Sequence, residues 1–269
     1  MKGLLNLGNT CYFNTALQCM LHTPILTNRF MARGYDGQCE FTKEYYKVAV
    51  QMWRIKGDQP INPAKLLAQL SARYQQFRGS QPNDVQEVVL CIIDIFEKSI
   101  GDEWVKEHLY GVNTTRVTWP DGSSEKSDLF ACQMLETGDS FLEKNTTVNG
   151  FRDLYDKEWP EASINTKATK LGTVFMVSFN MYQEKKDVTI PKTFEFDNST
   201  YRLYAAAIHM GSHMGGHYAA IVCHRENWFI KDDCSVHKVS DFQTTGPYYF
   251  AMYKKTNDVS RLSLPYSPS

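Results

Sequence analysis

The spacing of apolar residues changes period once along this chain, near Gly111, and no other feature constrains the fold as strongly. Before that point apolar side chains recur at three and four residues, the period of a helix buried on one side. Phe13, Ala16, Leu17, Met20 and Leu21 form one such stripe, which Pro24 ends. A second helix over 44–55 carries Tyr45, Val48, Ala49, Met52 and Trp53, and Gly57 stops it. A third opens at Asn62-Pro63, an N-cap residue before a first-turn proline. A fourth spans 81–96, with Val85, Val88, Val89, Ile92 and Phe96 on one face. After Gly111 the pattern alternates. Residues 112–119, a Pro120-Asp121-Gly122 turn and residues 129–135 predict a hairpin, followed by polar segments containing Gly138 and Gly150. From Lys170 onward, strands are predicted at 171–179, 188–196, 202–209, 218–224, 228–231 and 248–253. A helical half followed by a mainly antiparallel sheet is an α+β chain.

Its 269 residues, 42% of them hydrophobic, can bury the core of one large domain or two modest ones. Twenty-nine Lys and Arg against 30 Asp and Glu leave no global field to recruit nucleic acid or an acidic membrane. No run reaches the eighteen or more apolar residues of a membrane span, and no cleavable hydrophobic segment opens the sequence. The expectation is a soluble intracellular protein, cytoplasmic or nuclear. Seven cysteines without a Cys-x-x-Cys pair suit neither a disulfide framework nor a zinc ribbon, so reduced thiols and no metal are expected. The tail after Lys255, rich in Ser and Pro, is expected to be disordered.

Chemistry concentrates at three places. Cys11 stands where a polar, glycine-containing turn enters the first helix. A thiol there faces unpaired backbone N–H groups at the positive end of the helix dipole, which favours thiolate and supplies donors to a developing oxyanion. Asn6, on the approaching turn, could add its amide. Cysteine is also a common packing residue, so the residues alone leave Cys11 as nucleophile or core. Asp84 and Glu87 fall in the first turn of the helix over 81–96, either as ordinary dipole-matching caps or as an acidic edge for a basic peptide. His209, His213 and His217 are four apart, but Gly211, Gly215 and Gly216 oppose a helix that would align them on a metal. A glycine turn delivering His217 to a strand end is the better reading, facing a cleft or solvent.

Three stretches resemble one family. Gly3-Leu-Leu-Asn-Leu-Gly-Asn-Thr-Cys-Tyr-Phe-Asn14 with Leu17-Gln18-Cys19 is similar to the cysteine box of the ubiquitin-specific proteases, papain-like deubiquitinating enzymes. Gly215-Gly216-His217-Tyr218-Ala219-Ala220 with Trp228-Phe-Ile-Lys-Asp-Asp233 resembles their histidine box, and Tyr248-Tyr-Phe-Ala-Met-Tyr253 their closing strand. Gln81 to Glu87 resembles the Asp-x-x-Glu box that holds the arginine-bearing tail of ubiquitin, with Pro82 and Asn83 in place of the usual glutamines. Phe179-Asn180 departs from the more usual Arg-Phe pair, and the insert after Gly111 has only Cys132 where relatives often carry two zinc-binding Cys-x-x-Cys pairs.

The resemblance implies a papain-like fold: a helical thumb (1–108), a short, reduced finger-like insert without metal (109–168), a β palm (169–256) and a tail (257–269). It implies Cys11 as nucleophile, His217 as general base, Asp232 as the carboxylate orienting it and Asn6 as oxyanion donor. Asp84, Glu87 and Tyr218 would bind substrate. No cofactor or metal is implied; the partners are ubiquitin and ubiquitinated proteins, with no nucleic acid and no membrane. Asp233, on the opposite strand face if alternation holds, could support the oxyanion side or cap the turn. A deconjugase for another ubiquitin-like modifier, or a silent ubiquitin-binding module, remains as an alternative function.

Overall fold

The computed structural model describes residues 1–136, 140–180, 187–212 and 215–256. Gly138, His213 and the tail from 257 lie outside them.

Helix α1 (Cys11–Leu21) is central. Its apolar stripe is buried, but so are Asn14, Thr15 and Gln18 on the other side. The helix is therefore enclosed all round rather than on one face, since helices cover one flank and a sheet the other. Its buried side-chain amide N–H groups find partners, Asn14 Nδ2 donating to Leu5 O at 3.2 Å and Gln18 Nε2 to Lys2 O at 3.1 Å. Pro24 both ends α1 and opens α2 (Pro24–Arg33), where a missing N–H costs nothing. Helices α3 (Glu40–Trp53), α4 (Ala64–Arg73), α5 (Val85–Ile100) and α6 (Asp102–Leu109) complete this half. Neither α2 nor α6 is anticipated by periodicity. Phe30, Tyr45 and Phe96 lock α2, α3 and α5 together, with ring centroids 4.9 to 5.6 Å apart.

Strands β1 (Gly111–Trp119) and β2 (Gly122–Phe130) form the expected hairpin, but its second strand starts at the turn rather than at Leu129. Residues Gln133–Glu136 (β3) instead run parallel to a palm strand. The polar segments beyond are regular too, as β4 (Glu143–Arg152) and β5 (Glu158–Lys170), giving a four-stranded sheet in the order β2-β1-β5-β4. Strands β4 and β5 are largely polar and exposed, so no alternation betrays them. Hydroxyl and amide pairs such as Thr115–Thr166 and Asn145–Asn165 link the strands of this sheet instead.

The palm holds β6 (Val174–Asn180), β7 (Val188–Thr189), β8 (Thr193–Phe196), β9 (Ser199–Ser212), β10 (Gly215–His224), β11 (Asn227–Asp232), β12 (Ser235–Val239), β13 (Thr245–Gly246) and β14 (Tyr248–Lys255). Its main sheet has eight strands ordered β12-β11-β10-β9-β14-β6-β3, with β8 beside β9; β7 and β13 pair separately. Helix α1 packs across β9, β10 and β11, so the one thiol at its N-terminus meets the strands that carry His217 and Asp232. Among the described residues no helix is long and apolar enough to cross a membrane.

Candidate active site

The approach to Cys11 is a turn built by one side chain. Asn6 Oδ1 accepts from Gly8 N at 2.9 Å and from Thr10 Oγ1 at 3.2 Å, while Thr10 Oγ1 accepts from Leu7 N at 2.9 Å. The reversal needs left-handed backbone at Gly8 (φ 96) and Asn9 (φ 51), the residue types that adopt it at least cost. Gly3 lets this segment lie on the palm: a Cβ there would sit 2.4 Å from Cys234 O. Leu4 N then donates to Asp233 O at 2.8 Å.

Cys11 is the first residue of α1 and half-buried. Burial pushes its thiol up, and the nearby Asp233 charge pushes the same way. The backbone N–H of Tyr218, and those of Tyr12 and Cys11, oppose the shift without cancelling it. The backbone N–H groups at the helix terminus favour thiolate as the sequence suggested, but burial outweighs them. A base is needed.

His217 is the candidate for it. Strands β10 and β11 are joined through Arg225 (φ 49) and Glu226 (φ 64), and Ala220 pairs with Lys231. One step further this register sets Asp232 on the face shared by Ala219 and His217. His217 Nε2 lies 2.5 Å from Asp232 Oδ1. With Nε2 facing the carboxylate, Nδ1 is the ring nitrogen left for another partner. Asp233 does not point to the opposite face. Its left-handed backbone (φ 46) in the turn brings its carboxylate to the same side, within 4.8 Å of the His217 and Asp232 ligand atoms. There Asp233 Oδ2 accepts from Asn6 Nδ2 and Oδ1 from Asn14 Nδ2, each at 2.7 Å. Asn6 thus has one amide hydrogen committed to Asp233 and one left. Asn14 is a site residue that sequence reasoning did not single out, although a polar residue inside an apolar helical run is the signal for one.

Asp84 caps α5, its Oδ1 accepting from Gln86 N at 2.6 Å and Glu87 N at 3.3 Å, so the capping reading holds for it. Its Oδ2 also accepts from the Tyr249 hydroxyl. Tyr249 packs against Tyr218 (centroids 5.5 Å), which lies tilted against His209 at 4.4 Å, so one aromatic wall links Asp84 with Tyr218. Tyr249 is the missing connection. Glu87 is exposed one step along the same rim. The Gly215-Gly216 pair lies inside β10 rather than in a loop, and Gly216 makes room for the wall: a Cβ there would sit 2.0 Å from His209 Nε2.

Of the three histidines considered for metal, His209 and His217 sit on adjacent strands, at positions facing Tyr218 and Met210 respectively. Among the described residues, the group that could offer three ligands is His217, Asp232 and Asp233, whose atoms are already engaged with one another and with Asn6 and Asn14. Cys132, in the finger region, is half-buried beside Ser178 and Gln86. Aromatic contacts secure the far end of that sheet instead, Trp119 against Phe151 at 5.3 Å and Lys157 Nζ 3.9 Å over Trp159. Chelators are expected to leave folding and any turnover unchanged. One tightly held zinc per chain in elemental analysis, lost together with the fold, would overturn that expectation.

Residues 2–253 match the family model described as "Ubiquitin carboxyl-terminal hydrolase". The chain is 21% identical to ubiquitin carboxyl-terminal hydrolase 16 of Arabidopsis thaliana, over 97% of its own length and 31% of that protein's. It is 34% identical to ubiquitin carboxyl-terminal hydrolase 15 of Homo sapiens over 34% of its length, which is 10% of that protein's. The chain thus spans about a third or less of these curated relatives. In three dimensions it is similar to the SAGA Ubp8/Sgf11/Sus1/Sgf73 DUB module bound to ubiquitin aldehyde, with a TM-score of 0.78 and 17% identity, covering 95% of this chain and 69% of the other. A second Ubp8-containing module, bound to monoubiquitin, gives a TM-score of 0.79 at the same identity and coverage.

Proposed function

The chain belongs to the ubiquitin carboxyl-terminal hydrolase family, and from that premise we propose that it is a cysteine-type deubiquitinase, a single catalytic domain of thumb, finger-like insert and palm. It cleaves the peptide or isopeptide bond after the C-terminal Gly-Gly of ubiquitin. The observation that carries this reading is the His217–Asp232 pair on β10 and β11, with Cys11 at the N-terminus of the helix packed across them. His217 Nδ1 takes the Cys11 proton and the sulfur attacks the carbonyl carbon. The remaining Asn6 amide hydrogen and the Cys11 N–H hold the oxyanion. His217 then gives the proton to the leaving lysine amine, and water, deprotonated by the same ring, releases the thioester. Because burial holds the thiol up, removing the His217 base leaves little thiolate at neutral pH.

The aromatic wall and the acidic rim suit an extended tail ending in glycines. Gly-Gly has no side chains to clash with Tyr218, and arginines upstream would face Asp84 and Glu87. Because Asp84 also caps a helix, its two roles need separate variants. Asp84→Asn keeps a cap of equal quality and removes the charge, with the Tyr249 hydroxyl turning from donor to acceptor. It and Glu87→Lys are each expected to raise KM for ubiquitin substrates about three- to tenfold, with weaker salt dependence. Alkylation of Cys11 by a small neutral reagent should be unaffected. An unchanged KM in both would leave the carboxylates as helix caps alone. The activity itself is tested with ubiquitin carrying a fluorogenic C-terminal amide, beside the same probe on other ubiquitin-like modifiers. Fastest turnover on ubiquitin is expected; a faster modifier would make the chain a deconjugase for that one.

A further inference from the structure

The segment that carries Asn6 to the site is a strap, residues 2–6, lying between the β11–β12 turn and Ile61. Gly3 O accepts from Ile61 N at 3.0 Å, Leu5 N donates to Ile61 O at 2.9 Å, and Leu4 N donates to Asp233 O. At its start, the Lys2 carbonyl receives two buried side-chain donors: Gln18 Nε2 from α1 and Lys231 Nζ from β11, the latter at 2.9 Å. Lys231 is 1% exposed and lies on the strand face opposite Asp232. Gln18 and His22 face it from α1, and His224 approaches from β10. Among the described residues no carboxylate pairs with it, and burial pulls its amine down to about 7. An unpaired buried lysine is a poor choice for stability, since an apolar side chain of similar length fills the same space without the desolvation cost.

We propose that Lys231 is a positioning residue for the oxyanion site: its bond to the Lys2 carbonyl anchors the strap, and the strap sets Asn6 against Asp233. The proposal rests on the role given to Asn6 above. The amine enters the space behind β11 and fixes the strap one end away from the turn that Asn6 itself closes. Anchoring both ends leaves Asn6 little freedom to swing off the reacting carbonyl, and small displacements of a transition-state donor are costly.

The test is Lys231→Met, which keeps length and apolar bulk and removes the donor. Thermal stability is expected to hold or rise. Hydrogen exchange at the Leu4 and Leu5 amides should quicken as the strap loosens, while the helix interior of α1 keeps its protection. Turnover of ubiquitin substrate should fall about tenfold with KM unchanged, a part of what losing the Asn6 donor costs. In an Asn6→Ala background the same change should cost nothing further in kcat, because the residue through which Lys231 acts is gone. Unchanged exchange at Leu4 and Leu5 would overturn the anchor. An equal fall in kcat in both backgrounds would overturn the route through Asn6 and make the loss one of general packing. If Asn6→Ala alone leaves turnover intact, it is the oxyanion reading that fails, and the positioning role falls with it, whereas an impaired Asn6→Ala beside an unimpaired Lys231→Met sinks the strap proposal by itself.

Discussion

Cys11→Ala is expected to lose hydrolysis of ubiquitin substrates by a factor on the order of 10⁴ or more while keeping ubiquitin affinity within a few-fold. The expectation is lopsided because the sulfur does chemistry and little packing. Cys11 is only half-buried at the first position of α1, and alanine there keeps the helix, whose burial starts with Tyr12. The thiol is also held above its ordinary range by burial, so its reactivity depends on His217 rather than on the helix terminus. In His217→Ala, alkylation of Cys11 by a neutral reagent should keep rising with pH through 9 without a plateau, since a raised thiol pKa postpones ionisation. A plateau near neutral pH in that variant would mean the helix terminus makes the thiolate unaided. Full hydrolysis by Cys11→Ala would remove it from the chemistry altogether.

Asn6→Ala carries the second-largest effect, a fall in kcat on the order of 10²-fold with KM nearly constant. The side chain has two jobs, and they separate. Its carbonyl closes the turn onto Gly8 and Thr10, and its amide donates to Asp233 with one hydrogen left over. Thr10→Val removes a turn bond and the Leu7 partner while leaving the Asn6 amide in place. It is therefore expected to lower stability by about 1 kcal/mol and kcat far less than Asn6→Ala does. Equal losses of kcat in the two variants would make Asn6 a turn-former only. Loss of affinity instead of turnover would move it from the transition state to substrate binding.

How much of this could be read from the sequence depends on whether a residue's partner is local. The residues alone placed Cys11 at a helix start and His217 with Asp232 on two runs joined by a short turn, but left Cys11 between nucleophile and core and His217 between cleft and solvent; the family resemblance made the choice. Asp84 as a cap follows from its place before an apolar stripe. What escaped depends on contacts far along the chain or on a reversed backbone. Asp233 turns back because of its positive φ, which alternation cannot foresee. Asn14, Gln18 and Lys231 are polar residues in apolar runs whose partners are 9 to 229 positions away. Tyr249 meets Asp84 across 165 residues. Strands β4 and β5 of the finger-like insert were illegible for a different reason: largely polar and exposed, they are held by cross-strand hydroxyl and amide pairs that leave no hydrophobic period. Pro24 misled in one respect, since a proline that ends one helix can be the first residue of the next.

In the proposed reaction Cys11, activated by His217, attacks the carbon at the C-terminus of ubiquitin. That step is met most directly by ubiquitin whose terminal glycine carries a thiol-reactive trap, incubated with the protein beside traps on other modifiers, with the adduct mapped by mass spectrometry of its peptides. A single ubiquitin adduct on Cys11 is expected, absent from Cys11→Ala and slowed strongly in His217→Ala. An adduct on any other of the seven cysteines, or equal labelling in His217→Ala, would contradict it.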